Sequence, residues 1–504
     1  MNFVDILGLF YYFWGLLDFL RNIMNKTDWT KRVMDIFLEI CKIPRPSGHE
    51  QKMGEYLMNF ASARGLAARK DEVGNVLISK PASPGYENRQ TVILQAHQDM
   101  VCEKDATLEH DFMTQPIETY VEDGWLKARG TTLGADDGMG VAMALAVLDS
   151  REIEHGPVEC LFTVSEETGL TGATQLKSGM MNGKMLINLD SEDEGEIFIG
   201  CAGGINTSVE FDYKAETVPA GYFFLRVGVD KLHGGHSGDD IDKGYANANK
   251  ILARFLCSAL DKYDLRLISL SGGNLHNAIP RDAVAVIAVP FADRERIRVD
   301  FNVFASEIQD EYHVTEREAK FFMESTDAVA DCIETAVARN IIRSVFAVFN
   351  GVYAMSMDVP GLVETSSNLA RIRTEQGKVT MLASQRSSVE SAKYAVQETL
   401  AACFRLAGAK VSRNDGYPGW TPNPKSELLA IAVRTYKQLF GKDPKVKAIH
   451  AGLECGLFLA SYPDLDMISI GPTLRGVHSP SERLELATVP MVFEHLLAIL
   501  REIR

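Results

Sequence analysis

TVILQAHQDM (91–100) is an apolar, β-type run that ends in His97, with Asp99 two residues further on. A strand end is a rigid mount for a metal ligand. A carboxylate two positions later can reach the far ring nitrogen, fixing the tautomer and raising its basicity. Alone, the H-x-D pattern also describes a capped turn. What surrounds it decides between the two. Before it, TDWTKRVMDIFLEICKI (27–43) has apolar residues at helical spacing, with Thr27 as N-cap. PRPSGHE (44–50) is a Pro/Gly turn leading into a second helical run, QKMGEYLMNFASARG (51–65). Strand and helix patterns then alternate: NVLIS (75–79), TVILQA (91–96), a helix from about 136 to 149, VECLFTV (158–164), a short helix near 172–178 and MLINLD (185–190). This alternation predicts an α/β fold with a largely parallel or mixed sheet and helices on its faces.

The character changes near residue 205. YFFLRVGV (222–229), a helix over 242–262, LRLISL (265–270), AVAVIAVP (283–290) and a helix near 292–312 make one round. A helical run at 327–349, strands near 352–358 and 378–384, a helix over 388–407 and AKVSR (409–413) make a second. Two rounds of a helix-plus-two-strand unit predict an inserted α+β domain built from ferredoxin-like halves. PGWTPNPKS (418–426) reads as a linker. The chain then returns to α/β with a helix at 426–440, VKAIHA (446–451), a helix at 453–460, DMISIG (466–471) and a last helix at 488–503. The expected organisation is an apolar extension over 1–26, a catalytic domain split between 27–208 and 418–504, and an inserted domain over 209–417.

Bulk properties narrow the function. The net charge of −16 and pI near 5.3 leave no basic footprint for nucleic acid. None of the 8 cysteines forms a C-x-x-C pair, which argues against a thiolate zinc knuckle or a redox motif and for free thiols in a reducing, cytoplasmic setting. FVDILGLFYYFWGLL (3–17) is strongly apolar, but no Lys or Arg precedes it and Asp5 and Asp18 bracket it. It is short for a stable membrane span and lacks the charged start of a secretory signal. It fits an interfacial helix, an oligomer contact or a start site placed too far upstream.

Carboxylates and one more histidine recur where strands end and helices begin. GTTLGADDGMGVAMALAVL (130–148) places Asp136 and Asp137 at a loop-to-helix junction, where a cap needs only one Asp. VECLFTVSEETGLTGA (158–173) ends a strand in Glu166 and Glu167, adjacent carboxylates that repel unless a cation or proton lies between them. MLINLDSED (185–193) ends in Asp190, and ISIGPTLRGVHSPSERL (468–484) carries His478 in the loop after a buried strand. In open α/β sheets, sites form at the carboxyl ends of strands. A mixed nitrogen and oxygen set suits zinc, cobalt or manganese better than calcium. His97, Asp136, Glu167, Asp190 and His478 exceed what one tetrahedral zinc needs, and one shared carboxylate would complete two sites about 3.5–4 Å apart.

HQDMV, GTTLGADDG, SEETGLTGA, INLDSED and GPTLRGVHSPSERL, in this order over 27–504, resemble the M20 co-catalytic zinc peptidases, and within them the aminoacyl-histidine (Xaa-His) dipeptidase group. The resemblance implies that His97 binds one metal and is oriented by Asp99, that Asp136 bridges, and that Glu167 and His478 hold the metal not held by His97 and Asp190. Asp137 stands where many relatives have Asn. Glu166 is then the general base, activating the attacking water and protonating the leaving amine. KLHGGHSGDD (231–240) resembles the family's lid motif, so His236 is expected to stabilise the tetrahedral intermediate, from the same chain or from a partner subunit. Asn277 in NLHNAIP and Arg386 in ASQRSS are expected to hold substrate, Arg386 pairing bidentately with the free carboxylate. Gly452 and Glu454, in HAGLECG, are expected in a substrate-binding loop of the catalytic domain. The implied activity is two-metal hydrolysis of Xaa-His and other short unblocked peptides under a closing lid, by a cytoplasmic homodimer joined through the lid domain. An M20 relative acting on N-acyl amino acids or related amides shares the metal set and is the alternative. A catalytically silent scaffold is disfavoured because Glu166 and every metal position are intact.

Overall fold

Val92–His97 and Val158–Thr163 are buried at every position, as strands covered on both faces must be. They form the centre of an eight-stranded sheet in the order Ala67–Lys70, Val76–Lys80, Val158–Thr163, Val92–His97, Met185–Asn188, Asp466–Ser469, Glu196–Cys201, Lys445–Ile449. The four central strands run parallel: Val92–His97 pairs with Val158–Thr163 on one side and Met185–Asn188 on the other, and Met185–Asn188 pairs with Asp466–Ser469. Ala67–Lys70 with Val76–Lys80, Val76–Lys80 with Val158–Thr163, and Asp466–Ser469 with Glu196–Cys201 pair antiparallel, so the sheet is mixed. Between the central strands lies a buried polar rung in which Asn188 donates to Gln95 Oε1 at 2.6 Å and Gln95 donates to Thr163 Oγ1 at 3.2 Å. Helix Ala135–Asp149 is apolar on all sides, and nearly all of it is buried between this sheet and helix Asp28–Ile40.

This computed structural model describes residues 28–414 and 416–504. The apolar extension over 1–26 and the Thr27 cap lie outside the described residues. The chain forms two compact units: one reaches to Gly200 and includes Asn423–Ala448 and Leu457–Arg504, and the other comprises Cys201–Pro422 and Ile449–Gly456. Among the described residues, no helix is long and apolar enough to cross a membrane.

The second unit is built on a nine-stranded antiparallel sheet. Tyr222–Asp230, helix Ala248–Lys262, Arg266–Gly272, Ala283–Pro290, helix Arg294–Glu311 and Lys320–Ser325 form one β-α-β-β-α-β round with the fourth strand beside the first. Gly203–Asp212, helix Thr335–Ala347, Val363–Glu375, Lys378–Ser387, helix Glu390–Leu406 and Lys410–Arg413 form the other. The rounds join where Arg266–Gly272 meets Val363–Glu375, and their helices share one apolar core.

Some element bounds differ from the sequence reading. The helix expected from 242 starts at Ala248, because the Asn247 side chain caps it by accepting from the amides of Asn249 and Lys250. The helical run expected over 327–349 is a strand at Asp331–Ile333 followed by helix Thr335–Ala347, since residues 331–333 pair with Ala215–Thr217. Segment 449–456, read as part of the catalytic half, packs with the second unit: the amide of Ala202 donates to the carbonyls of Ile449 and Ala451, each at 3.0 Å.

Candidate metal centre

Parallel register brings the strand ends together. His97 lies opposite Thr163, Gln95 opposite Asn188, and Asn188 opposite Ser469. The loops that follow, carrying Glu166 and Glu167, Asp190, and His478, therefore leave the same edge of the sheet. His478 sits at φ +61° on a hairpin tip whose arms, Leu474–Arg475 and Arg483–Glu485, are pinned in a small second sheet by Trp125–Ala128. Asp136 comes from the first turn of helix Ala135–Asp149.

The Asp136 carboxylate presents one oxygen to each imidazole. Oδ1 lies 3.0 Å from His97 Nε2 and Oδ2 lies 3.1 Å from His478 Nε2. Asp190 Oδ1 is 3.6 Å from His97 Nε2, and Glu167 Oε2 is 3.0 Å from His478 Nε2. Two ligand groups thus meet at one shared carboxylate. The neighbouring Asp137 is spent on structure: its Oδ1 accepts from the amide of Gly140 at 3.1 Å and its Oδ2 from the amide of His97 at 3.2 Å. The peptide bond between the two aspartates is cis.

The donor set fits a pair of divalent cations. Donor atoms of His97, Asp136 and Glu167, and of His97, Asp137 and Asp190, converge within 4.8 Å. Glu167 Oε1 is buried with no hydrogen-bond partner, an acceptor left over once the protein's own donors are assigned. The electrostatics also call for positive charge. Burial works against a charged His97, yet Asp190, Asp136 and Asp99 hold its pKa well above the ordinary value. Hydrogen bonds to Asp136 and Glu167 raise His478 to about 11. Burial, reinforced by Asp136 and Glu167, pushes Asp190 up to about 7.

Asp99 does more than face His97, whose Nδ1 is 3.4 Å from Asp99 Oδ1. Its Oδ1 accepts from the amide of Glu166 at 3.0 Å, and its Oδ2 from the amide of Glu167 at 3.2 Å and from Ser47 Oγ at 2.7 Å. It ties the loop carrying Glu166 and Glu167 to the His97 strand end. The sequence reading missed two buried charges that shape the site. Glu482 accepts from the amides of Leu133, Gly134 and Ala135 at 2.7–2.9 Å, cradling the loop that presents Asp136. Arg45 donates to the carbonyl of Gln98 at 3.0 Å and to those of Asp99 and Gly134. In the sequence both look like surface charges, and only their burial, at 3% and 2% exposure, distinguishes them.

The second unit gathers the other expected residues into a separate group. Arg386 is 6% exposed and has no carboxylate partner among the described residues. Its Nη1 donates to the Tyr417 hydroxyl at 3.2 Å, and its Nη2 is 3.4 Å from His236 Nε2. His236 Nδ1 is 3.1 Å from Asp239 Oδ2. The carbonyl of Asn277 accepts from the amide of Ser237 at 2.8 Å, which keeps Asn277 beside His236. His450 is bonded to Ser366 Oγ at 2.7 Å, and burial, helped by the Arg386 charge, lowers its pKa to about 3. Gly452 serves through what it lacks: a Cβ there would lie 3.0 Å from the Tyr417 ring. Glu454 is buried at the start of helix Glu454–Ser461. A buried guanidinium flanked by a hydroxyl and an imidazole is suited to a planar anion such as a carboxylate. Tyr417, just ahead of the linker read at 418–426, carried no signal of this role in the sequence.

Residues 93–502 match peptidase family M20/M25/M40. The chain belongs to this family. The cytosol non-specific dipeptidase of Escherichia coli (strain K12) is 43% identical over 472 residues, covering 93% of this chain and 97% of that protein. The crystal structure of aminoacylhistidine dipeptidase from Vibrio alginolyticus superposes on this M20 peptidase with a TM-score of 0.88 at 42% identity, over 94% of this chain and 96% of that one. Aminopeptidase PepT from Bacillus cereus matches at a TM-score of 0.56 and 17% identity, over 94% of this chain and 98% of that one, and shares the fold. The α/β fold class and the M20 membership expected from the motifs both hold.

Proposed function

We propose that this M20 peptidase hydrolyses dipeptides, preferring Xaa-His substrates such as β-alanyl-histidine, with two divalent metal ions per subunit. The names of its relatives, a non-specific dipeptidase and an aminoacylhistidine dipeptidase, favour dipeptides over N-acyl amino acids. The observation that carries the reading is the shared Asp136 carboxylate, with one imidazole on each oxygen at 3.0 and 3.1 Å. His97, Asp190 and Asp136 would hold one ion, and His478, Glu167 and Asp136 the other. The nitrogen and oxygen donors suit zinc first, with cobalt or manganese as alternatives. Bound there, the ions would lower the pKa of water and polarise the scissile carbonyl.

Glu166 takes the proton from the attacking water and returns it to the leaving amine. Asp99 keeps both His97 and the Glu166 loop in place. In the second unit, His236 is assigned to charge developing on the carbonyl oxygen, Arg386 to the free carboxylate of the substrate, and Asn277, Gly452 and Glu454 to substrate recognition. The domain reading, with 209–417 inserted between 27–208 and 418–504 and with 449–456 packing against the inserted part, belongs to the same proposal, as does a cytoplasmic location, which the name of the Escherichia coli relative supports. So does a homodimer formed through the second unit. It is supported by the exposed side chains of Phe346, Phe349, Tyr353, Met355 and Met357, on and around edge strand Gly351–Met355.

The test is hydrolysis of β-alanyl-histidine, several α-dipeptides and N-acetyl amino acids by purified protein, before and after chelation and with zinc restored. Metal-restored cleavage of the dipeptides is expected, with Glu166→Gln lowering kcat by about 10³-fold. Faster turnover of the N-acetyl amino acids would overturn the substrate assignment.

A further inference from the structure

PRPSGHE (44–50) reads in the sequence as a simple turn between two helices, yet it sends three side chains into the loops of the metal centre. Arg45 and Ser47 reach the His97–Asp99 segment, as described above. Glu50 reaches the strand end that carries Glu166. It occupies the N-cap position of helix Gln51–Ala63, but its side chain makes no cap bond. Instead, at 6% exposure, its Oε1 accepts from the amide of Ser165 at 2.9 Å, the hydroxyl of Ser165 at 2.9 Å and the amide of Gly48 at 2.8 Å. The amide of Gly48 also lies 3.1 Å from Ser165 Oγ, closing the group.

Ser165 immediately precedes Glu166 and has φ +50°, in the left-handed region. A residue with a Cβ is disfavoured there by about 1–2 kcal/mol, so its neighbours must hold it. Beyond it the chain turns sharply, with the amides of Gly169 and Leu170 both donating to the carbonyl of Glu166. The backbone of Glu166 is thus fixed from below by Glu50 through Ser165, and at its own amide by Asp99.

We propose that Glu50 is a positioning residue for Glu166: by holding Ser165 left-handed, it sets the direction in which the Glu166 carboxylate leaves the strand end. The inference rests on the assignment of Glu166 as general base. Without Glu50, the backbone ahead of Glu166 relaxes toward negative φ and the base points off line, while His97, Asp136, Asp190 and His478 come from other loops and still hold metal.

Steady-state kinetics on β-alanyl-histidine at saturating zinc test this, with metal content and melting temperature measured on the same samples of parent, Glu50→Ala, Glu50→Gln and Glu166→Gln. Glu50→Ala is expected to lower kcat about 10- to 100-fold, the scale on which small misplacements act, with KM within about twofold and two metals retained. Glu50→Gln, which keeps the acceptor oxygen, is expected to recover most of that loss. A Glu50→Ala kcat within about twofold of the parent, beside an inactive Glu166→Gln, would overturn the inference alone. So would recovery of Glu50→Ala by raising the zinc concentration, since that would place the effect at Glu167. A Glu166→Gln variant as active as the parent would instead overturn the assignment of the base. If Glu50→Ala does not fold, Ser165→Ala, which removes one of the bonds and keeps the backbone, carries the test: a kcat lowered about threefold or more at constant KM supports the inference, and an unchanged kcat overturns it.

Discussion

Asp136 and Asp137 are the same residue type, one peptide apart, and the structure gives them opposite electrostatics. Burial raises both. For Asp136, hydrogen bonds from His478 and His97 outweigh it and hold the carboxyl well below the usual range. For Asp137, burial is reinforced by the nearby Asp190 and holds the carboxyl well above it. Spacing alone says only that two aspartates exceed the needs of a cap; the family resemblance points to Asp136, and the structure turns its two oxygens to the two imidazoles. A similar point applies to Arg386, whose burial and lack of a carboxylate partner among the described residues only the structure shows. If it holds the substrate carboxylate, Arg386→Ala raises KM for dipeptides by about 10- to 100-fold and erases the preference for free over C-terminally amidated peptides. A kinetic comparison of β-alanyl-histidine with its amide checks this; an undiminished preference would remove Arg386 from that role.

At the scale of the element, helix Ala135–Asp149 shows how closely a helix start is fitted to the site. A Cβ on Gly140 would lie 2.3 Å from Asp137 Oδ1, the same carboxylate that accepts from the amide of His97. Gly140→Ala is therefore expected to destabilise the protein by about 2 kcal/mol in chemical denaturation and to lower metal affinity, although alanine is the better helix former. The last helix, Thr488–Glu502, carries a pH dependence. His495 donates from Nε2 to the carbonyl of Ala432 at 2.8 Å, and burial pushes its pKa down to about 4. Its ordinary value is 6.5, so between pH 6.5 and about 4 the unfolded chain binds a proton that the fold refuses. This contribution is complete above pH 6.5 and is lost as the pH falls, by about 1.4 kcal/mol per unit. Urea midpoints measured across that range should fall less steeply for His495→Gln than for the parent. The central strands of the first unit, such as Val92–His97 and Val158–Thr163, were legible because burial on both faces leaves long apolar runs. The strands Gly203–Asp212 and Lys320–Ser325 were not, because exposed polar and charged residues interrupt them and their place is set by sheet partners far away in sequence.

For the whole molecule, the proposed metal binding would be linked to folding, because the proposed ligands come from five separate positions between His97 and His478 that only the folded chain brings together. A ligand that binds only the native state stabilises it in proportion to its saturation, by about 4 kcal/mol at a thousandfold excess over Kd. Chelation is expected to lower the melting temperature by several degrees, and zinc to restore it. A melting temperature unmoved by either would remove the metal assignment.

By itself, the sequence determined the α/β fold class, the M20 membership and the elements that bear the candidate site residues. Apolar periodicity and the placement of His, Asp and Glu at element ends are local properties of the chain. The tertiary structure decided what depends on distance. It set the register that aligns the parallel strand ends, turned Asp136 to both imidazoles and Asp137 to backbone amides, and withdrew Arg45, Glu50 and Glu482 from water to brace the loops of the candidate site. A charged residue reads the same in sequence whether it is solvated or buried against backbone amides and carbonyls. Only packing removes the water, and with it the screening that would otherwise make such a contact weak.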